Sequence, residues 1–112
     1  MKRIEAVIRP VKVADVVEAL EKLGHPGMMI TEIEGHGKQL GLQQEVRGKK
    51  YRVDFIPKAR IEIIVRDPDV DKTVKTILDA AHTGEIGDGK IFIHSVENAI
   101  RVRTRESGEI AV

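Results

Sequence analysis

The strongest constraint on this chain is a switch of hydrophobic period that occurs twice. In "KRIEAVIRP", Ile4, Ala6 and Ile8 recur at every second position until Pro10. Period two belongs to a strand, and proline lacks the N–H that a continuing ladder needs. Val13, Val16, Val17, Leu20 and Leu23 then recur at helical spacing, with Gly24 behind them as a stop. This predicts an amphipathic helix of about three turns. The stretch "MMITEIEGHG" follows as a second strand ending at Gly35 and Gly37.

The plan then repeats. In "KARIEIIVRD", Ile61, Ile63 and Val65 alternate with Arg60, Glu62 and Ile64, as in a third strand. Asp67, Pro68 and Asp69 set up a helix start, and Val70, Val74, Ile77, Leu78 and Ala81 supply its buried stripe. "KIFIHSV" reads as a fourth strand, and "AIRVRT" as a short last one with Arg101 and Arg103 on one face. The order β-α-β-loop-β-α-β, plus that strand, predicts an α+β, ferredoxin-like split βαβ sandwich with both helices on one face of an antiparallel sheet. The opposite face carries Val7 and Ile64, so a second subunit is expected to cover it.

One stretch breaks the pattern. From Gly37 to Asp54, "GKQLGLQQEVRGKKYRVD" is polar and has no sustained period, so no stable hairpin is assigned there. Loops of this length inside compact domains are usually functional or mobile.

Composition narrows the function. With 112 residues, one domain over 1–112 is expected. The balance of 19 Lys+Arg against 18 Asp+Glu argues against a direct nucleic-acid footprint, and one Tyr, two Phe and no Trp leave few stacking platforms. The absence of Cys excludes disulfides and thiolate metal sites. No signal-peptide core or apolar run of membrane length is present, so a cytoplasmic protein without an intrinsic membrane anchor is expected.

Chemistry concentrates in "HTGEIGDGKIF", His82 to Phe92. Its glycines permit positive φ and close backbone approach, successive N–H groups there can form an anion-binding nest, and Lys90 adds a point charge. A plainer reading is a helix C-cap at Gly84 and a turn at Asp88-Gly89. The spacing is not that of a P-loop, and the segment precedes a strand. Arg101 and Arg103, with Lys90, would suit a polyphosphate, in one chain or across a subunit boundary. The histidines at 25, 36, 82 and 94 have no metal-ligand spacing, and no nucleophile–base pair stands out.

These motifs together resemble the PII nitrogen-regulatory signal-transduction proteins. "TGEIGDGKIF" matches that family's C-terminal signature, and "KRIEAVIRP", "GMMITEIEGHGKQ", "RGKKYRVDFIPKARIE" and "IRVRT" fall in register along the whole chain. The resemblance implies a homotrimer with clefts between subunits in which ATP and ADP compete. Gly87, Asp88, Gly89 and Lys90 would wrap the phosphates, joined by Arg101 and Arg103. Val7, Gly35, Gly37, Lys38, Glu62 and Ile64 would complete the nucleotide site, the last two around the nucleoside. Gln39 would coordinate Mg²⁺ together with ATP and 2-oxoglutarate. Lys58 would pair with a carboxylate of that acid, and the backbone near Gly37, Leu40 and Gly41 would complete its site. Residues 37–54 become an effector loop for ammonium transporters and for enzymes of glutamine synthesis and its control.

Three features depart from the family pattern. Lys38 stands where Arg is common, which loses bidentate contact but keeps the charge. Tyr51, at the position uridylylated or adenylylated in some relatives, is preceded by Lys49 and Lys50. Arg105 replaces a usual Gly. Two other readings stay open at this level: a small phosphate-handling enzyme on the same fold, and a PII-like sensor of another ligand.

Overall fold

A computed structural model of the chain describes residues 1–35, 42–46, 49–53 and 56–112. His36, Gly37, Lys38, Gln39, Leu40 and Gly41, singled out in the sequence, lie outside those residues. The elements run β1 (Lys2–Ile8), α1 (Val13–Leu23), β2 (Met29–Gly35), β3 (Leu42–Val46), β4 (Lys49–Val53), β5 (Ile56–Val65), α2 (Val70–Ala81) and β6 (Lys90–Ser95).

The four longer-range strands form one sheet in the order β2-β5-β1-β6, with every neighbour antiparallel. This is the ferredoxin-like α+β sandwich that the repeated periods predict. Its core is single-sided. Ile4, Ala6 and Ile8 of β1 and Ile61, Ile63 and Val65 of β5 pack under Val16 and Leu20 of α1 and Ile77 and Ala81 of α2. Antiparallel partners share a face, so Val7, Arg60 and Lys90 lie together on the opposite side. There Val7 and Ile64 are half-buried while Met29 and Phe92 are exposed.

Helix α1 stops as its sequence predicts. Gly24 adopts φ 99°, and His25 N–H donates to the Leu20 carbonyl at 2.9 Å. This is a Schellman-type end, which needs a left-handed residue at that point.

Four local expectations are corrected. Helix α2 ends at Ala81 with an extended His82 cap, so Gly84, at φ +87°, turns the following loop rather than capping the helix. In the α2 stripe Leu78 is exposed and Thr73 is fully buried instead. Thr73 is tolerated inside because its hydroxyl donates to the Asp69 carbonyl at 2.7 Å. Within the polar middle segment, β3 and β4 pair as a separate two-stranded antiparallel ladder, Leu42 opposite Val53 and Tyr51 opposite Gln44. Backbone pairing is indifferent to the lack of an apolar face, which is all that the sequence pattern could register.

The fourth correction concerns the end of the chain. Residues 99–104 form no strand; only an isolated bridge joins Ile100 to Ser107. Arg101 N–H donates to Glu106 O at 2.8 Å, Arg105 N–H to Arg101 O at 2.7 Å and Gly108 N–H to Ala99 O at 2.9 Å, which closes a compact turn. Alternating Ile, Arg, Val, Arg imitates a strand, but local hydrogen bonding wins here.

Candidate functional site

The site grows from one register. Val7, near the end of β1, pairs with Arg60 of β5 on one side and Lys90 of β6 on the other. The loop from α2 to β6 must therefore descend onto the end of β1. It does so at Gly89, where φ is +98° and an added Cβ would lie 1.7 Å from the Val7 carbonyl oxygen. No side chain fits that space. Gly87, at φ +104°, alternates with Gly89 in left-handed backbone, the kind of path that turns successive N–H groups toward one anion.

Asp88 is the hub of this loop. Its carboxylate accepts the Thr83 and Gly84 N–H groups, each at 2.9 Å, and the Thr83 hydroxyl. Arg9, just beyond β1, donates from Nε to the same carboxylate at 3.2 Å and from its terminal nitrogen to the Ile86 carbonyl at 2.7 Å. The Thr83 hydroxyl and then its amide hold the Asp88 carboxyl well below the usual carboxylate range against desolvation, and the Gly84 amide and Arg9 add smaller contributions in the same direction. Asp88 faces the loop interior, so its backbone is the part available to a phosphate.

Lys58 approaches from the other side. It is buried, and its ammonium donates to the Gly87 carbonyl. Burial lowers its pKa, Arg9 lowers it further, and Asp88 opposes both. Lys90 is exposed at the loop's exit. The structure thus brings together Val7, Lys58, Gly87, Asp88, Gly89 and Lys90. Such a combination of left-handed glycines and cations is suited to binding an anion.

Other residues singled out in the sequence lie elsewhere. Glu62 and Ile64 line a cavity of about 400 Å³ with Gly27, Met28, Met29, Ala111 and Val112. Gly35 is the last residue of β2, opposite Ile56. Arg101 is engaged locally: its guanidinium donates to Glu106 and to the Ile110 carbonyl, both at 2.9 Å, and Arg103 is exposed beside it. Strand β6 carries the chain from Lys90, opposite Val7, to Ser95, opposite Lys2. That is roughly 17 Å along the sheet. The terminal residues then sit by Ile64 and Arg66, so one chain does not unite Arg101 and Arg103 with Lys90. Among the described residues, no group of three or more His, Asp or Glu side chains is placed to hold a metal ion.

Two residues of the loop assembly escape a reading of the sequence. Thr83 has a faint local signal, a hydroxyl five positions before an acid in a Gly-rich turn. Arg9 has none, because its partner is 79 positions away.

A ferredoxin-like sheet with a glycine loop seated on one end of β1 defines a small α+β protein of a regular two-layer class. Comparison with known proteins gives it a family. The description "Nitrogen regulatory protein P-II" matches residues 1–106. The chain is 54% identical over its full 112 residues to nitrogen regulatory protein P-II 2 of Methanothermobacter thermautotrophicus, covering 97% of that protein. It is 50% identical to nitrogen regulatory protein P-II 1 of Escherichia coli, with both chains fully covered. Among solved structures, Arabidopsis thaliana PII bound to citrate superposes with a TM-score of 0.82 at 38% identity, over 99% of this chain and 91% of that one. The chain belongs to the nitrogen regulatory protein P-II family, and its relatives are named as regulatory proteins.

Proposed function

We propose that this chain is a cytoplasmic regulator that binds ATP or ADP and, with Mg-ATP, 2-oxoglutarate. It passes their state to partner proteins through residues 37–54. The single observation that supports this most is the bond from Lys58 to the Gly87 carbonyl. It ties the residue expected to meet the acid to the loop expected to meet the phosphates. Citrate, named with the Arabidopsis relative, is a polycarboxylate, which agrees with a site for acidic metabolites in this family.

In this reading Gly87 and Gly89 present backbone to the phosphates and Lys90 adds charge. Glu62 and Ile64 flank the nucleoside. The chain works as a homotrimer that covers the open sheet face. Arg101 and Arg103 of one copy then serve the cleft of the next, in keeping with their distance from Lys90 within one chain. Gln39 would hold Mg²⁺ together with ATP and 2-oxoglutarate, and the ion would supply positive charge to offset theirs. Lys58 fixes the far carboxylate, and the backbone of Leu40 and Gly41 closes the site. The outputs are an ammonium transporter or regulators of glutamine synthesis, with Tyr51 in β4 as a candidate modification point. The protein acts by shifting populations and without substantial turnover.

Calorimetry tests the mechanism. Binding of 2-oxoglutarate should require Mg-ATP and should fall by at least about tenfold in Lys58→Met, from the loss of a charge-assisted contact. Equal affinity with ADP, or without nucleotide, would overturn it.

A further inference from the structure

The connection between α1 and β2 forms one wall of the Glu62–Ile64 cavity, through Gly27, Met28 and Met29. Three anchors hold it. The Schellman-type end of α1 fixes Gly24 and His25, with His25 N–H on Leu20 O at 2.9 Å. Met28 packs against the core at the other end. Between them, His25 Nε2 lies 3.2 Å from Thr73 Oγ1 in α2.

The direction of that last bond follows from proton counting. Thr73 gives its one hydroxyl proton to the Asp69 carbonyl at 2.7 Å. Its oxygen can then only accept, so His25 Nε2 is the donor. Thr73 is fully buried among apolar residues, where a hydroxyl is costly unless it is satisfied. A valine of similar size would fill the same space in the stripe. What a valine could not do is donate to the Asp69 carbonyl or hold His25, and only the second of these reaches outside α2 and its own first turn. Pro26 follows directly and fixes its own φ, so the position of His25 is passed on to Gly27 with little slack.

We propose that Thr73 and His25 are positioning residues that set the Gly27–Met29 wall against Glu62 and Ile64, and so tune the fit of the nucleotide base. Neither touches the ligand; Thr73 acts through His25, and His25 through the wall. The proposal rests on the reading of this cavity as the nucleoside site.

The test compares ATP and GTP binding to the full chain by calorimetry. Thr73→Val should weaken ATP by about three- to tenfold, the scale of one net hydrogen bond. GTP should weaken less, so the ATP-over-GTP ratio narrows. Thr73→Ser, which keeps the hydroxyl, should restore the ratio. His25→Ala, at a half-buried position and independent of core packing, should reproduce the loss, and the double variant should add little to it. A ratio unchanged in both Thr73→Val and His25→Ala, or a Thr73→Ser variant as impaired as Thr73→Val, overturns the inference while the nucleotide reading stands. Failure of the unaltered chain to bind ATP overturns the nucleotide reading, and this inference with it.

Discussion

The loop of residues 82–89 and the turn of residues 98–108 are both irregular, and both need left-handed backbone, yet they are built differently. The first uses glycine at each left-handed point, 84, 87 and 89, and adds to its local Asp88 ties two partners far away in sequence: Arg9 at 79 positions and Lys58 at 29. The second has a glycine at φ 83°, Gly108, but also places Arg105 at φ 63°, and its polar ties, among Asn98, Arg101, Glu106, Gly108 and Ile110, span ten positions or fewer. A loop clamped by distant elements must match their positions, so its conformation is coupled to the global fold. A turn held by its own neighbours can carry local strain without disturbing anything else.

Substitutions can break this contrast. The largest effect is expected at Gly89. Gly24 has nearly the same torsion, φ +99° against +98°, but a Cβ there meets nothing within 4 Å, whereas at Gly89 it would meet the Val7 carbonyl oxygen. Gly24→Ala should cost about 1 kcal/mol, the left-handed penalty alone. Gly89→Ala should cost about 3 kcal/mol or more, read as a melting temperature lower by more than about 10 °C. Equal losses at the two sites would show that the loop is free to lift off β1.

Asp88→Asn should come next. The carboxamide has one acceptor oxygen and turns donors toward groups that are themselves donors, so the clamp loses part of its bonding and the melting temperature falls by a few degrees. The pH dependence fixes the cause. Asp88 is held below its ordinary carboxyl value, so its charge stabilises the folded state fully above the unfolded carboxyl pKa of about 4. That advantage is lost progressively as pH falls below this toward the folded value. Melting curves of the two proteins should therefore converge in acid, and a constant gap would place the effect elsewhere.

The smallest effect belongs to the local turn. Arg105→Gly removes left-handed strain but adds freedom to the unfolded chain, so a net gain below about 1 kcal/mol is expected from chemical denaturation. A loss would mean that the Arg105 side chain holds the turn, in contrast to the 82–89 loop, where backbone and Asp88 do so.

The same contrast explains what could be read from the sequence. Strands β1 and β5 and helices α1 and α2 were legible because burial on one face imposes a period, as Ile4–Ala6–Ile8 and Val16–Leu20 show. The glycine loop was legible as a candidate because its backbone demands leave a compositional trace. The inward orientation of Asp88 was not, since Thr83 leaves only a faint local signal and Arg9 reaches it through the pairing of β1 with β6. Thr73 escaped because a polar residue in a buried stripe breaks the period that defines the stripe. Residues 99–104 misled for the opposite reason, an alternation with no sheet to receive it.

The Lys58 contact has one more consequence. The described partner of this buried cation is a neutral carbonyl, that of Gly87. Under the proposed function, a carboxylate arriving there would trade a weak neutral acceptor for a charged one. That exchange would also release Gly87, so occupancy on one side of the loop would be converted into slack on the other.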